Sequence, residues 1–343
     1  MANEEADREQ RALTEVGRAR SAEREGHPVD ALVAYDAALD ALGESGDPDL
    51  VAMVLRRKGN VHLHRGETAE AEALYRRSLE KCEGTSCIAG LASALNCLAS
   101  VQQRRGELAE AERLYRQAGN AAASVGDARL KGIIHQNLGI LASQRGEWEK
   151  ARHAYEESLA AFDAIGDEEG ASWVLSNLAR LYTESEQHEL AEEAYARARA
   201  IARSRGDSLV ESVVEQNYAE LMLARGRADD AADACKRSLA LSVQRGDRLR
   251  RAETLKLYAR IGRERGDYDA AISALAEACE LAHSAEDSIL EAELLGEAGE
   301  LWRLRGEREV AGAVWSEALA TFQKAGATHS AEELSARIAR AES

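Results

Sequence analysis

Proline, phenylalanine and cysteine are nearly missing from this chain: two, two and five in 343 residues, with aromatics at only 4%. So little β-branched and aromatic surface leaves no strand signal, while abundant Ala, Leu, Glu and Arg favour helix throughout. No apolar run approaches the roughly 20 residues that a membrane span needs. The acidic stretch Met1 to Asp7 lacks the apolar core of a signal peptide and reads as a disordered tail. Five cysteines, an odd number without CxxC spacing, suit a reducing compartment, and the expectation is a cytoplasmic protein. Basic residues are outnumbered 61 to 44, a net charge of −17, which argues against nonspecific nucleic-acid binding and against docking on an anionic membrane. Also missing are a phosphate-binding glycine loop, a nucleophile elbow and paired metal ligands. No catalytic residue, cofactor or metal is therefore expected, and an enzyme is the least favoured class.

What the chain does have is a period. Glycine recurs every forty residues at Gly26, Gly66, Gly106, Gly146, Gly226, Gly266 and Gly306, with Glu186 in the one remaining slot. Alanine stands five residues after each slot, from Ala31 to Ala311, and Gly or Ala stands seven before it, from Ala19 to Gly299. A fixed period of this length marks a solenoid of stacked supersecondary units. Each unit reads as helix A, a tight turn at the slot, helix B and a loop. Gly46, Gly126, Gly166, Gly206, Gly246 and Gly326 sit where helix B must stop, a left-handed position that favours a residue without Cβ. Asp47, Asp127, Asp167, Asp207, Asp247 and Asp287 follow as caps of the next helix A.

The small residues imply that helices A and B cross closely enough for their backbones to approach. Tyr35, Tyr75, Tyr115, Tyr155 and Tyr195, then Cys235, Leu275 and Trp315, form a column nine residues after the slot. Periodic aromatics at that spacing read as core rather than as a ligand platform. Two irregularities interrupt the repeat. Glu186 and Glu286 replace glycine where a left-handed residue is wanted, and Cys82 and Cys87 bracket a loop in which Gly84 comes two residues early. The two cysteines read as small fillers that could join under oxidation. Local softness is expected near 183–188, 82–88 and 284–288.

The order of small residue, turn glycine, alanine, aromatic and small residue resembles the tetratricopeptide repeat family. It is clearest in Asn137-Leu138-Gly139 with Gly146, Ala151, Tyr155 and Ser158. The family's shorter form ends helix B with a proline that is absent here. The Gly-Asp loop is closer to the forty-residue variant of kinesin light chains and bacterial peptide-sensing regulators. The resemblance implies an all-α fold: a right-handed superhelical α-solenoid of eight helix-turn-helix repeats over residues 8–327, with a capping helix over 328–343. It also implies that helices A line the concave side.

On that premise residues thirteen, ten, nine, six and two before each slot form one stripe on helix A. The candidate peptide-binding residues are Arg56, Asn60, Asn96, Gln136, Asn137, Trp173, Asn177, Arg180, Gln216, Asn217, Lys256 and Arg260. Carboxamides both donate and accept, so a ladder of them can bond an extended peptide's backbone, or else bond neighbouring helices and stabilise the stack. Trp173 is an anchor candidate for a partner's side chain, or the cover of a seam between repeats. The basic residues point to an acidic or carboxylate-bearing peptide. Arg56 with Asn60 resembles half of a clamp by which some family members hold a terminal carboxylate, but Cys97 and Ile140 stand where its other members belong.

His62-x-His64 cannot share a metal on a helix, since residues two apart point about 200° apart. Arg205-Gly206-Asp207 is the repeat loop rather than an adhesion motif. The expected function is a non-catalytic scaffold or adaptor that binds an extended peptide or helix of another protein. The alternative is a regulatory sensor whose superhelical pitch changes on binding. Self-association through a terminal repeat is a further expectation.

Overall fold

The computed structural model describes residues 2–43, 46–285 and 287–342, and among them every regular element is an α-helix. The chain divides into two compact units, Met1–Val174 and Leu175–Ser343. The first contains α1 (Ala2–Arg24), α2 (Pro28–Leu42), α3 (Pro48–His64), α4 (Thr68–Cys82), α5 (Ile88–Arg104), α6 (Leu108–Ser124), α7 (Ala128–Gln144), α8 (Trp148–Ala164) and the first residues of α9 (Glu168–Glu184). The second contains the rest of α9, then α10 (His188–Arg205), α11 (Ser208–Ala224), α12 (Ala228–Arg245), α13 (Arg248–Arg265), α14 (Tyr268–Ser284), α15 (Ser288–Arg305), α16 (Arg308–Lys324) and α17 (Thr328–Glu342). Odd-numbered helices are A, even-numbered ones B, and α17 is an unpaired A-type helix. The all-α repeat solenoid expected from the period is the observed fold. Residues 2–7, expected as a tail, instead continue α1, because nothing in them breaks a helix and Asp7 pairs with Arg11 one turn on.

Each turn closes by the same hydrogen bonds. At Gly66 (φ +79°) the Glu67 N–H donates to His62 O at 2.9 Å and the Gly66 N–H to Leu63 O at 3.1 Å, a left-handed helix terminus. Glu186 makes the same closure, with Gln187 N–H to Tyr182 O at 2.8 Å, and alone among the described non-glycine residues it has positive φ, +60°. Glu286 lies outside the described residues. The six expected aspartate caps all form: Asp127, for example, accepts from Leu130 N–H at 2.9 Å and Asp247 from Arg250 N–H at 3.0 Å. Asp207 caps α11 by accepting from Leu209 and Val210, so that the Arg-Gly-Asp stretch is helix punctuation.

Gly46 corrects one reading. The left-handed residue of the first B-to-A loop is Gly43 (φ +61°), and α2 stops at Leu42. Gly46 is small for another reason: a Cβ there would lie 2.8 Å from the Cβ of Leu42.

The tyrosine column is core. Tyr35, Tyr75, Tyr155, Cys235 and Leu275 are fully buried, and Tyr115, Tyr195 and Trp315 nearly so. The glycines seven before the slot, Gly59, Gly139 and Gly299, meet the rings of Tyr75, Tyr155 and Trp315. A Cβ on Gly59 would sit 2.5 Å from the Tyr75 ring, and one on Gly139 equally close to Tyr155. Trp148 is 40% exposed at the start of α8.

Gly139→Ala should therefore destabilise the protein. Better helix propensity contributes about 1 kcal/mol, but displacing a fully enclosed ring costs about 1–3 kcal/mol. The expected net loss in urea unfolding is about 1 kcal/mol, and a gain would show that the ring has room to move. Glu186→Gly removes a left-handed penalty of about 1–2 kcal/mol and should raise the unfolding midpoint, whereas an unchanged midpoint would mean that the turn is unstrained.

Candidate functional site

Neighbouring A helices touch within each unit, α3 with α5, α5 with α7, and α11 with α13. Stripe residues bond across these contacts. In the first unit Arg56, Asn60, Asn96, Gln136, Asn137 and Trp173 are all half-buried. In the second unit Asn177, Arg180, Gln216, Asn217 and Lys256 are half-buried and Arg260 is exposed.

Several of the amides bond from helix to helix. Asn137 donates from α7 to Asn96 Oδ1 on α5 at 2.9 Å. In the second unit Asn217 on α11 donates to Ser176 Oγ on α9 at 3.3 Å, and Gln216 accepts from Thr254 on α13 at 3.1 Å. Asn60 accepts from the Tyr75 hydroxyl at 2.7 Å, which ties the stripe to the ring beneath it. These contacts use one atom of each carboxamide. A side chain with two N–H donors and a carbonyl keeps further bonding capacity. Burial pushes the Tyr75 and Tyr115 phenols well above their ordinary range, so they remain protonated donors.

The charges divide between the units. Across α1, α3, α5 and α7 the stripe positions hold Arg20, Arg24, Arg56, Arg57 and Arg104 but no Asp or Glu, in a chain whose net charge is −17. Arg56, Arg57 and Arg104 enter no ion pair among the described residues, although Arg57 is hydrogen-bonded to the Tyr35 hydroxyl; the Nε atoms of Arg56 and Arg57 are buried without a hydrogen-bond partner there. The Arg56 guanidinium sits close enough to Cys97 to favour its thiolate, although burial wins and pushes the thiol up to about 11.

In the second unit the stripe is acidic, with Glu184, Glu220, Glu253, Glu264, Glu293, Glu297 and Glu300. There the basic residues are largely engaged. Arg180 bonds Glu184 at 2.7 Å, Lys256 pairs with Glu293, and Glu297 joins Arg337 of α17 at 2.9 Å. The acidic set on α15 escapes a sequence reading that follows the stripe only to the seventh repeat; carrying the same spacing one repeat further finds it.

Sequence reasoning also missed Glu215. Its carboxylate is fully buried between α10 and α12, where Arg199 (2.8 Å), Arg203 (3.3 Å) and Arg237 (2.9 Å) surround it. Arg199 in turn stacks 4.6 Å over the Tyr218 ring. The cluster is a packing device: a buried carboxylate needs its cations, and by supplying them α10 and α12 are tied to α11. His62 of the His-x-His pair bonds Glu67 at 2.6 Å, and no cluster of three metal-ligating side chains occurs among the described residues. No described helix is long and apolar enough to cross a membrane.

Comparison with known proteins bears on this geometry. Tetratricopeptide repeat profiles match residues 51–85, 90–164, 144–204 and 211–284. No curated protein matches the sequence. Among solved structures, the chain is similar to a signal transduction ATPase with a tetratricopeptide repeat sensor from Pyrococcus horikoshii: 15% identity, 94% of this chain and 49% of that one, TM-score 0.69. A Rap protein complexed with competence and sporulation factor aligns at 13% identity over 97% of this chain and 98% of that one, TM-score 0.62. Nearly identical repeats of a putative kinesin light chain from Podospora anserina align at 18% identity over 58% and 97%, TM-score 0.50. At these identities the likeness is one of fold.

The Asn96–Asn137 bond makes a measurable claim. Asn96→Ala and Asn137→Ala should each cost about 1 kcal/mol, and the double variant less than their sum, with a coupling of about 0.5–1.5 kcal/mol in a thermodynamic cycle. Strict additivity would show that the amides do not hold α5 to α7.

Proposed function

The chain belongs to the tetratricopeptide repeat family, and on that premise we propose that it is a non-catalytic interaction scaffold that takes an extended, acidic segment of a partner protein on the A-helix face of its first unit. The observation that carries this reading is the unpaired arginine set. Arg56, Arg57 and Arg104 face a stripe free of carboxylates while the rest of the chain is strongly acidic. Cations that enter no ion pair among the described residues, in a partly desolvated site, are suited to attract and orient carboxylates, and a face of one sign raises the association rate.

The amides supply the second half of recognition. Asn60, Asn96, Gln136 and Asn137 stand along successive helices, and their remaining donors and acceptors can pair with a peptide backbone whatever its side chains. Trp173, half-buried in the same unit, offers a flat apolar surface for one partner side chain. The second unit's candidates, Asn177, Arg180, Gln216, Asn217, Lys256 and Arg260, share a face with many carboxylates, and Arg180 and Lys256 are paired to them. An acidic ligand is therefore assigned to the first unit. A prebuilt face loses little freedom on binding, which favours an adaptor. The Rap structure is of a protein complexed with a factor, consistent with ligand binding on such a scaffold.

The test is fluorescence anisotropy of a labelled hexaglutamate peptide, with native-lysate capture in parallel. Arg56→Glu with Arg104→Glu should weaken peptide binding by about tenfold or more, and affinity should fall with added salt in the wild type only. Equal affinity in the charge-reversed protein would overturn the reading. Small-angle scattering with and without peptide separates an adaptor, whose radius stays constant, from a sensor that contracts or extends.

A further inference from the structure

The junction between α4 and α5 departs from the regular repeat loop. Helix α4 ends at Cys82, two residues short of the length of α6, and the exposed loop Glu83 to Ser86 turns at Gly84 (φ +72°). Cys87 then occupies the N-cap of α5, where the neighbouring repeats place an aspartate, and its side chain makes no capping bond. Instead Cys82 and Cys87 are joined as a disulfide, with Cα atoms 4.9 Å apart. Both cysteines are 2% exposed and pack on Ala52 of α3 and Leu91 of α5. The first turn of α5 is shaped to them: a Cβ on Gly90 would lie 2.8 Å from the Cys82 sulfur and closer still to that of Cys87. Thr85 pins the loop between them, donating to Cys82 O at 2.8 Å and accepting from Cys87 N–H at 3.1 Å.

We propose that Cys82 and Cys87 are a reversible thiol–disulfide exchange site, acted on by low-molecular-weight disulfides, that sets how firmly α5 is seated between α3 and α7. In the forward direction the thiolate of one cysteine attacks a small disulfide RSSR, forming a mixed disulfide and releasing one RS⁻. The second thiolate then attacks the protein sulfur of that mixed disulfide and expels the other RS⁻. The two protons lost by the cysteines end on the two RSH products, and the two electrons lost by the protein reduce RSSR. A small thiol reverses both steps.

Geometry favours this pair over Cys97, Cys235 and Cys279, which are free. The pair is instead covered only by a four-residue exposed loop, whose local opening admits a small disulfide without unfolding either helix. The consequence for binding rests on the function proposed above. Helix α5 carries Asn96, Cys97 and Arg104, and the Cys97 sulfur lies 4.0 Å from Asn60 Oδ1 on α3, so loosening the start of α5 alters the spacing of the first unit's face.

The test compares wild-type protein equilibrated with glutathione disulfide and with reduced glutathione. Amide exchange over 83–91 is read by mass spectrometry and hexaglutamate affinity by anisotropy. Reduction should speed exchange in 83–91 by about 10- to 100-fold and weaken the peptide, because opening the loop regains the freedom that the cross-link removed. A Cys82→Ser, Cys87→Ser variant should ignore the oxidant in both measurements. Identical exchange of the wild type in both redox states would overturn the proposal without recourse to any variant, as would a variant that responds to oxidant like the wild type. A change in exchange accompanied by no peptide binding in either state upholds the exchange site and rejects the acidic-peptide reading.

Discussion

Three of the repeats depend on fitting one ring of helix B against one glycine of helix A. The rings of Tyr75 and Tyr155 occupy the space that a Cβ on Gly59 or Gly139 would need, and both tyrosines are fully enclosed. Interiors are close-packed, so the distance between two helices is set by the side chains at their crossing. A ring against glycine or alanine, repeated at constant spacing, makes each helix pair nearly identical to the last. That identity is what lets equivalent residues on successive helices A meet. Asn96 reaches Asn137 and Gln216 reaches Thr254 because the pairs below them are alike.

The polar face built on this framework is uneven. In the second unit, carboxylates on α15 are matched by cations on α13 and α17, and the buried Glu215 is matched by three arginines. In the first unit Arg56, Arg57 and Arg104 enter no ion pair among the described residues. Desolvated charges without partners are costly to hold. Their retention on one face of an otherwise acidic chain is the physical ground for placing the interaction there. The Cys82–Cys87 junction lies at the edge of this same face, where the regular aspartate cap has been replaced.

Much of the fold was legible because it follows from local rules repeated many times. Glycine at a left-handed turn, aspartate at an N-cap and bulk at one position each act over a few residues, and the repeats agree in phase. The misreadings came where a residue's reason is not local. Gly46 looked like a helix stop but is small because Leu42 folds back on it, while Gly43 makes the turn. Gly59, Gly139 and Gly299 of helix A looked like sites of backbone approach but are seats for rings. Cysteines read as fillers that might join are joined. The stripe itself was legible from spacing, whereas its bonding was not: whether an asparagine faces a ligand or a neighbouring helix depends on distances between chain segments forty residues apart.

The amino-acid sequence alone determined the repeat, its length, the helix boundaries to within a few residues and the identity of the core column, because these arise from propensities and periodicities that act along the chain. Only the tertiary structure decided which polar groups are already satisfied. Pairing of Arg180 with Glu184, of Lys256 with Glu293 and of Asn137 with Asn96, against the unpaired state of Arg56 and Arg104, is set by where helices come to rest beside one another. Coulomb and hydrogen-bond energies change steeply over an ångström or two, and no pattern in one dimension carries that distance.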